Sequence, residues 1–146
     1  MKKTYQMTFF KSEFIQFNCI LEDEEIRNKI ADFVLKYISI EAYYKKMLVA
    51  EKESAGKTLS PKERKNLNVT VPDVKRVLKH FGLDCNPNLI ERIFGSNDKS
   101  YMECSIKKLR DRLVHNVNES VLRVVLERYD KITADLEAFI ELVTGK

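Results

Sequence analysis

The chain has 146 residues, 44% of them hydrophobic and 33% charged, which suits one soluble domain over residues 1–146. Its net charge of +4 permits an anionic partner but does not require one. The apolar runs are too short for a membrane span, and Lys11 and Glu13 interrupt the stretch that most resembles a signal peptide. We therefore expect a cytoplasmic protein without membrane contact.

Sequence motifs for metal, nucleotide or hydrolase chemistry are missing. The three cysteines are widely spaced and the chain has only two histidines, so no metal-binding pattern forms. The sequence contains no GxGxxG, GxxxxGK[ST], HExxH or GxSxG motif. We expect reduced thiols and neither a metal nor a cofactor.

Two helical patterns occupy the first third of the chain. The first predicts an amphipathic helix over about residues 4–20, whose apolar face must be buried. That face consists of Met7, Phe10, Phe14, Phe17 and Leu21. The second follows the acidic stretch EDEE, a typical helix start, and predicts a helix that ends near residue 53. Its apolar positions are Ile26, Ile30, Phe33, Tyr37, Ile40, Tyr44 and Met47.

A polar stretch and two short helices follow. Residues 55–70 are polar and lack periodicity, which predicts a loop. The segment TVPDVKRVLKHFG has Pro72 near its first turn, and NPNLIERIFG has Asn86 as its cap and Pro87 at the first helical position. Both segments end at a glycine, so each predicts a short helix.

Two further helices complete the pattern. One is predicted from Ser100, as its cap, to about His115. Its apolar stripe is Met102, Ile106, Leu109 and Leu113. The other begins after Asn118, a typical N-cap, and ends before Gly145. Its stripe is Val121, Val125, Ile132, Leu136, Phe139 and Val143. The sequence therefore predicts an all-α, antiparallel four-helix bundle with two short helices inserted before the third long helix.

The segment RDRLVH, at the end of the third long helix, holds the strongest candidate for chemistry. Five residues advance an ideal helix by about 500°, so Arg110 and His115 point about 140° apart and do not face each other within one chain. Next to the exposed His115, Val114 is apolar where a solvated helix prefers charge. A second subunit packing on Val114 explains both features and would bring Arg110 and His115 of two chains into one cleft.

Arginine and histidine suit RNA cleavage without a metal. An arginine donates parallel N–H groups to a phosphate and a histidine can move the proton of a 2′-hydroxyl, so Arg110 and His115 are suited to these two roles. The 2′-oxygen would attack the adjacent phosphorus while Arg110 stabilises the phosphoryl oxygens. The side chains expected to contact RNA nearby are Lys107, Lys108, Arg112 and Asn116.

The RDRLVH segment and the capped helix after it resemble the R-x4-6-H motif of HEPN domains over residues 100–143. The resemblance implies an all-α bundle, usually dimeric, whose active members are metal-independent endoribonucleases that leave cyclic phosphate ends. Such members act as toxins or in antiviral defence. By position, Arg110 and His115 match the two motif residues and Asp111 matches the polar position between them, so these three are the predicted catalytic residues.

The resemblance also suggests an antitoxin or a nucleotidyltransferase as a protein partner. Members that pair with a nucleotidyltransferase often have Gly-Tyr after the histidine, where this chain has Asn116 and Val117.

Two other interpretations remain open. The carboxylate of Asp111 would repel a phosphate at a position where the family often has asparagine. This favours a catalytically inactive HEPN-like bundle that binds RNA, a nucleotide or a protein. In the other interpretation, Arg110 and His115 are ordinary surface side chains of a structural or adaptor bundle.

Overall fold

The computed structural model describes residues 22–96, 99–115 and 117–145. Within these ranges the chain forms helices and no strand, which confirms the all-α prediction for this part. The helices are α1 (Glu24–Ser54), α2 (Pro61–Lys65), α3 (Val71–His80), α4 (Pro87–Phe94), α5 (Ile106–His115) and α6 (Glu119–Thr144). The predicted helix over residues 4–20 lies outside the described residues. None of the helices in the described ranges has the length and apolarity to cross a membrane.

The two long helices, α1 and α6, begin and end as predicted. Asp23 caps α1, since its carboxylate accepts a hydrogen bond from the backbone N–H of Ile26 at 3.1 Å. Asn118 caps α6 in the same way by accepting from Val121 at 2.9 Å. The helix ends at Gly145, whose φ of 73° is accessible to glycine without strain.

Polar contacts join α1 to α6 along one edge. They are Tyr129 Oη to the Asp32 carboxylate (2.6 Å), Lys36 Nζ to Glu137 (3.1 Å) and Tyr43 Oη to the Val143 carbonyl (3.3 Å). The partners advance together along both helices, so α1 and α6 run in the same direction.

The aromatic core is centred on Phe94 of α4, which is fully buried. Its ring centroid lies 5.3 Å from that of Phe139 in an edge-to-face arrangement, and 6.4 and 6.0 Å from those of Tyr37 and Tyr44. Two of these rings belong to α1 and one to α6. The short helix α4 therefore adds its aromatic ring to the core that the two long helices share.

The third long helix is shorter than predicted, because it begins at Ile106 and not after Ser100. Arg128 of α6 donates hydrogen bonds to the backbone carbonyls of Tyr101 (2.7 Å) and Cys104 (2.9 Å). These carbonyls would otherwise accept from amides one helical turn later. The arginine thereby stabilises a turn where a helix was predicted.

Ser105, not Ser100, caps α5. Its hydroxyl accepts from the backbone N–H of Lys108 at 3.1 Å and donates to the Gly95 carbonyl at 2.6 Å. The predicted apolar stripe is wrong at its first position, since Met102 lies in the preceding turn and is 51% exposed.

The prediction of a loop over residues 55–70 is wrong in part, because this stretch contains the short helix α2. Ser60 and Glu63 form a reciprocal capping box, and Pro61 occupies the first helical position. The stretch SPKE is a recognisable signal for such a start. No residue of α2 is buried, so its capping box and the ion pair of Arg64 with Glu53 of α1 (2.8 Å) hold the helix without a core contact.

We predict that Ser105→Ala lowers the free energy of unfolding by about 1–2 kcal/mol, because it removes a helix cap and leaves the Gly95 carbonyl without a partner. Urea unfolding measures the change. Ser60→Ala is the matched control and should cost under about 0.5 kcal/mol, since α2 packs against nothing buried. Equal losses for both variants would contradict the structural role of Ser105.

Candidate functional site

The candidate residues lie on α5, whose helical geometry is unbroken from Ile106 to His115. Leu109 and Leu113 of this helix are buried in the core. Arg110 lies on the flank that faces α1, with 19% of its side chain exposed, whereas His115 is exposed. The helix therefore separates Arg110 and His115 by about 140° within one chain, as its periodicity predicted.

Arg110 binds two carboxylates and one aromatic ring. Its Nη2 atom lies 3.4 Å from Glu41 Oε2 and 3.1 Å from Asp111 Oδ1. Its guanidinium carbon lies 5.1 Å from the centre of the Tyr37 ring, at a distance typical of a cation–π contact. Asp111 is the next residue after Arg110 in the chain. Glu41 and Tyr37 lie on α1, far away in the chain, and the sequence did not predict them at this site.

Glu41 is the acceptor that joins α1 to α5. Its Oε2 atom also accepts a hydrogen bond from the hydroxyl of the fully buried Tyr37 at 3.0 Å, and its Oε1 atom lies 3.5 Å from Lys45 Nζ. Burial, together with the adjacent Glu41 carboxylate, raises the pKa of Tyr37 far above its ordinary value. The tyrosine therefore remains a hydrogen-bond donor, and the carboxylates of Glu41 and Asp111 are balanced by Arg110 and Lys45.

Two carboxylates orient the guanidinium of Arg110, but they do not use all of its N–H donors. Both carboxylates approach the same nitrogen, Nη2. Nε is buried and has no hydrogen-bond partner, and Nη1 makes no hydrogen bond to the described residues. A guanidinium has five N–H groups, two of them on Nη1. An anion can accept hydrogen bonds from these two N–H groups.

Two of the predicted RNA-binding side chains are held by backbone carbonyls. Lys107 Nζ donates to Val69 at 2.6 Å, and Arg112 donates to Lys99 at 2.9 Å. The guanidinium of Arg112 also lies 5.0 Å from the centre of the Tyr101 ring.

These carbonyl contacts leave the charge of α5 unchanged. A carbonyl dipole does not cancel a cationic charge, so α5 still carries four cationic side chains against the single carboxylate of Asp111. Lys108 is half-buried on the same helix. Asn116, the remaining predicted RNA contact, lies outside the described residues.

Two exposed valines flank the exposed histidine in the chain at the end of α5. Val114 is 51% exposed and Val117 is 49% exposed, and His115 lies between them in the chain. We name Val114, His115 and Val117 the α5 terminal patch. Adjacent exposed apolar side chains are a common feature of surfaces that contact another chain.

The second histidine of the chain, His80, occupies a different environment. It is the last residue of α3, where a cation complements the helix dipole. Its Nε2 atom lies 3.3 Å from the hydroxyl oxygen of Ser54, and its ring packs edge-to-face on Phe81. These contacts give His80 a structural role at the end of α3.

We predict that Glu41→Ala lowers the free energy of unfolding by about 2 kcal/mol, because the buried Tyr37 hydroxyl loses its acceptor. Tyr37→Phe should cost about 1 kcal/mol, since Glu41 keeps its two cations. Urea unfolding of the single and double variants measures the coupling. The double variant should lose less than the sum of the single variants, and strict additivity would contradict the network.

Comparisons of the chain with protein-family models, with curated proteins and with solved structures give no significant match. The function is therefore inferred from the residues of the chain and their geometry.

Proposed function

We propose that the protein is a HEPN-type, metal-independent endoribonuclease, acting as a toxin or an antiviral defence factor, whose site forms between two copies of the chain. The observation that carries the proposal is the exposure of His115 between Val114 and Val117, on the same helix as an oriented Arg110. Contact of this patch with its counterpart in a second chain would bury the valines. The two histidines would then share one cleft.

The proposed bundle is antiparallel and HEPN-like. Residues 116–118 alone separate α5 from α6, and so short a connection favours helices that run in opposite directions. Near the other end of α5, Arg128 of α6 donates hydrogen bonds to the carbonyls of Tyr101 and Cys104. This contact supports an antiparallel pairing of α5 with α6. Because α6 and α1 share one direction, α5 is then opposed to both.

In the proposed reaction, His115 of one chain removes the proton from a 2′-hydroxyl and the 2′-oxygen attacks the adjacent phosphorus. The 5′-oxygen leaves and takes a proton from His115 of the second chain. The products are a 2′,3′-cyclic phosphate and a 5′-hydroxyl. Arg110 would donate from Nη1 to a phosphoryl oxygen while Glu41 and Asp111 hold Nη2, so that the guanidinium is preorganised.

We predict that the protein cleaves a mixed RNA pool in EDTA and leaves 2′,3′-cyclic phosphate ends. His115→Ala and Arg110→Ala should each lower the rate at least 100-fold, because each removes a group that acts on the phosphodiester. His80→Ala is the matched control, since it alters the other histidine at a distant helix end, and it should cleave as the parent does. Gel analysis with identification of the termini measures both rate and product.

Cleavage by His115→Ala at the parent rate would refute the catalytic proposal. Salt-sensitive RNA binding without scission by any variant would instead favour the second candidate function, a catalytically inactive HEPN-like bundle. The specific observation behind this candidate is that Arg110 already contacts two carboxylates, which would repel a phosphate. Such a bundle would bind RNA, a nucleotide or a protein such as an antitoxin or a nucleotidyltransferase.

We predict that Val114→Glu converts the dimer to a monomer and lowers RNA cleavage at least tenfold, because it places two carboxylates in the proposed contact. Light scattering measures the mass, and the RNA assay measures the rate. Met102→Glu is the matched control, since Met102 and Val114 are both 51% exposed. A Val114→Glu variant that retains the mass and the activity of the parent would rule out the α5 terminal patch as the contact.

A further inference from the structure

A groove of about 340 Å³ lies between α3 and α4, with part of its lining in the short connection that joins them. Aliphatic side chains from both helices and from the connection form its apolar part. They are Leu78, Leu83, Pro87 and Ile90. Sites for small molecules have volumes of about 300–1,000 Å³ and a mostly apolar lining with a few polar groups. The groove therefore has the size and the lining of a site for a small ligand.

Two lysines of α3 line the same groove. Lys75 and Lys79 are four residues apart, so their side chains lie on one face of the helix, about 6 Å from each other along its axis. Both are exposed and neither forms an ion pair with the described residues, whereas the nearby Arg76 binds Glu51 and Asp73. Like charges at this spacing repel each other and destabilise a helix. An anion bound between the two ammonium groups would remove that repulsion.

The connection between α3 and α4 adds two polar groups to the groove. Asp84 is the one carboxylate among the described residues that line it. A carboxylate accepts hydrogen bonds, so a ligand that fills the groove must present a donor to Asp84. Cys85 adds no charge, because burial and the adjacent Asp84 raise the pKa of its thiol. The groove thus combines two cations on α3 with one hydrogen-bond acceptor in the connection.

We infer that this groove binds a phosphate monoester of a nucleoside, the chemistry shared by a free nucleoside monophosphate and by the 5′-phosphate end of an RNA. A phosphate monoester carries a charge of about −1.5 to −2 at pH 7, which matches the two lysines. The base packs on the aliphatic side chains, and its amino group donates to Asp84. A fatty acid carries a single charge, and its alkyl chain has no donor for this carboxylate.

The inference does not rest on the proposed nuclease function. The described residues that line the groove belong to α3, α4 and their connection, whereas the proposed nuclease site lies on α5. Binding in the groove and cleavage of RNA can therefore fail separately.

The first test is calorimetric titration of the full chain with adenosine 5′-monophosphate. Lys75→Gln and Lys79→Gln should each weaken binding about fivefold or more, because each removes a charge-assisted contact with the phosphate. Lys131→Gln is the matched control, since it alters an exposed lysine of α6 outside the groove, and it should bind as the parent does. Absence of binding by the parent, or parent affinity in both groove variants, would overturn the inference.

Competing ligands identify the occupant. An RNA of 2′-O-methyl nucleotides has no 2′-hydroxyl to attack its own backbone, and it is used with a 5′-phosphate and, as the control, with a 5′-hydroxyl. Competition by the phosphorylated RNA alone would identify an RNA end as a ligand, and competition by neither RNA would identify the free nucleotide; both results support the inference. Equal competition by the two RNAs would overturn it. Inorganic phosphate or decanoate that binds as tightly as adenosine 5′-monophosphate would also overturn it.

The last measurement locates the ligand in the parent protein and needs no variant. Cys85 is the half-buried thiol of the groove, and its alkylation by iodoacetamide is followed by mass spectrometry of the peptide that contains it. At about ten times Kd, adenosine 5′-monophosphate should slow this alkylation about tenfold, because about one tenth of the grooves stay empty. An unchanged alkylation rate of Cys85 would place the ligand elsewhere and overturn the inference.

Discussion

Packing of the Phe94 ring against Tyr37, Tyr44 and Phe139 is the contact on which the rest of the structure depends. These rings come from α1, α4 and α6, so one aromatic cluster sets the spacing of both long helices. Aromatic pairs stabilise a core through buried area and through their edge-to-face geometry. Tyr37 also contacts Arg110, so the core helps to determine where the guanidinium of α5 lies.

The contact between Tyr37, Glu41 and Arg110 illustrates how a core positions a charged group. A partly buried ion pair contributes little net stability, because desolvation of the charges offsets their attraction. The main effect of this ion pair is to orient the guanidinium of Arg110, since the carboxylates hold Nη2 and leave Nη1 to donate in a fixed direction. His115, by comparison, is exposed. The proposed site would therefore combine one group fixed by the fold with one that a second chain must enclose.

The two long helices and their caps are predictable because their signals are local. Asn118 and Asn86 each begin a helix as expected, and the stripes of α1 and α6 have the period of the helix itself. The predicted start at Ser100 is wrong because Arg128, far away in the chain, binds the carbonyls that a helix would need. A pattern confined to a few neighbouring residues cannot indicate that a distant arginine will bind these carbonyls.

Local patterns in the chain suffice to predict the helical class, the long helices α1 and α6, and the position of Arg110 and His115 on one helix, about 140° apart. These features follow from periodicity, capping and the fixed geometry of the helix. The packing of the helices, by contrast, places Glu41 and Tyr37 beside Arg110 and brings backbone carbonyls to Lys107 and Arg112. Partners from other parts of the chain become neighbours only when the helices pack, and no local pattern in the sequence encodes that packing.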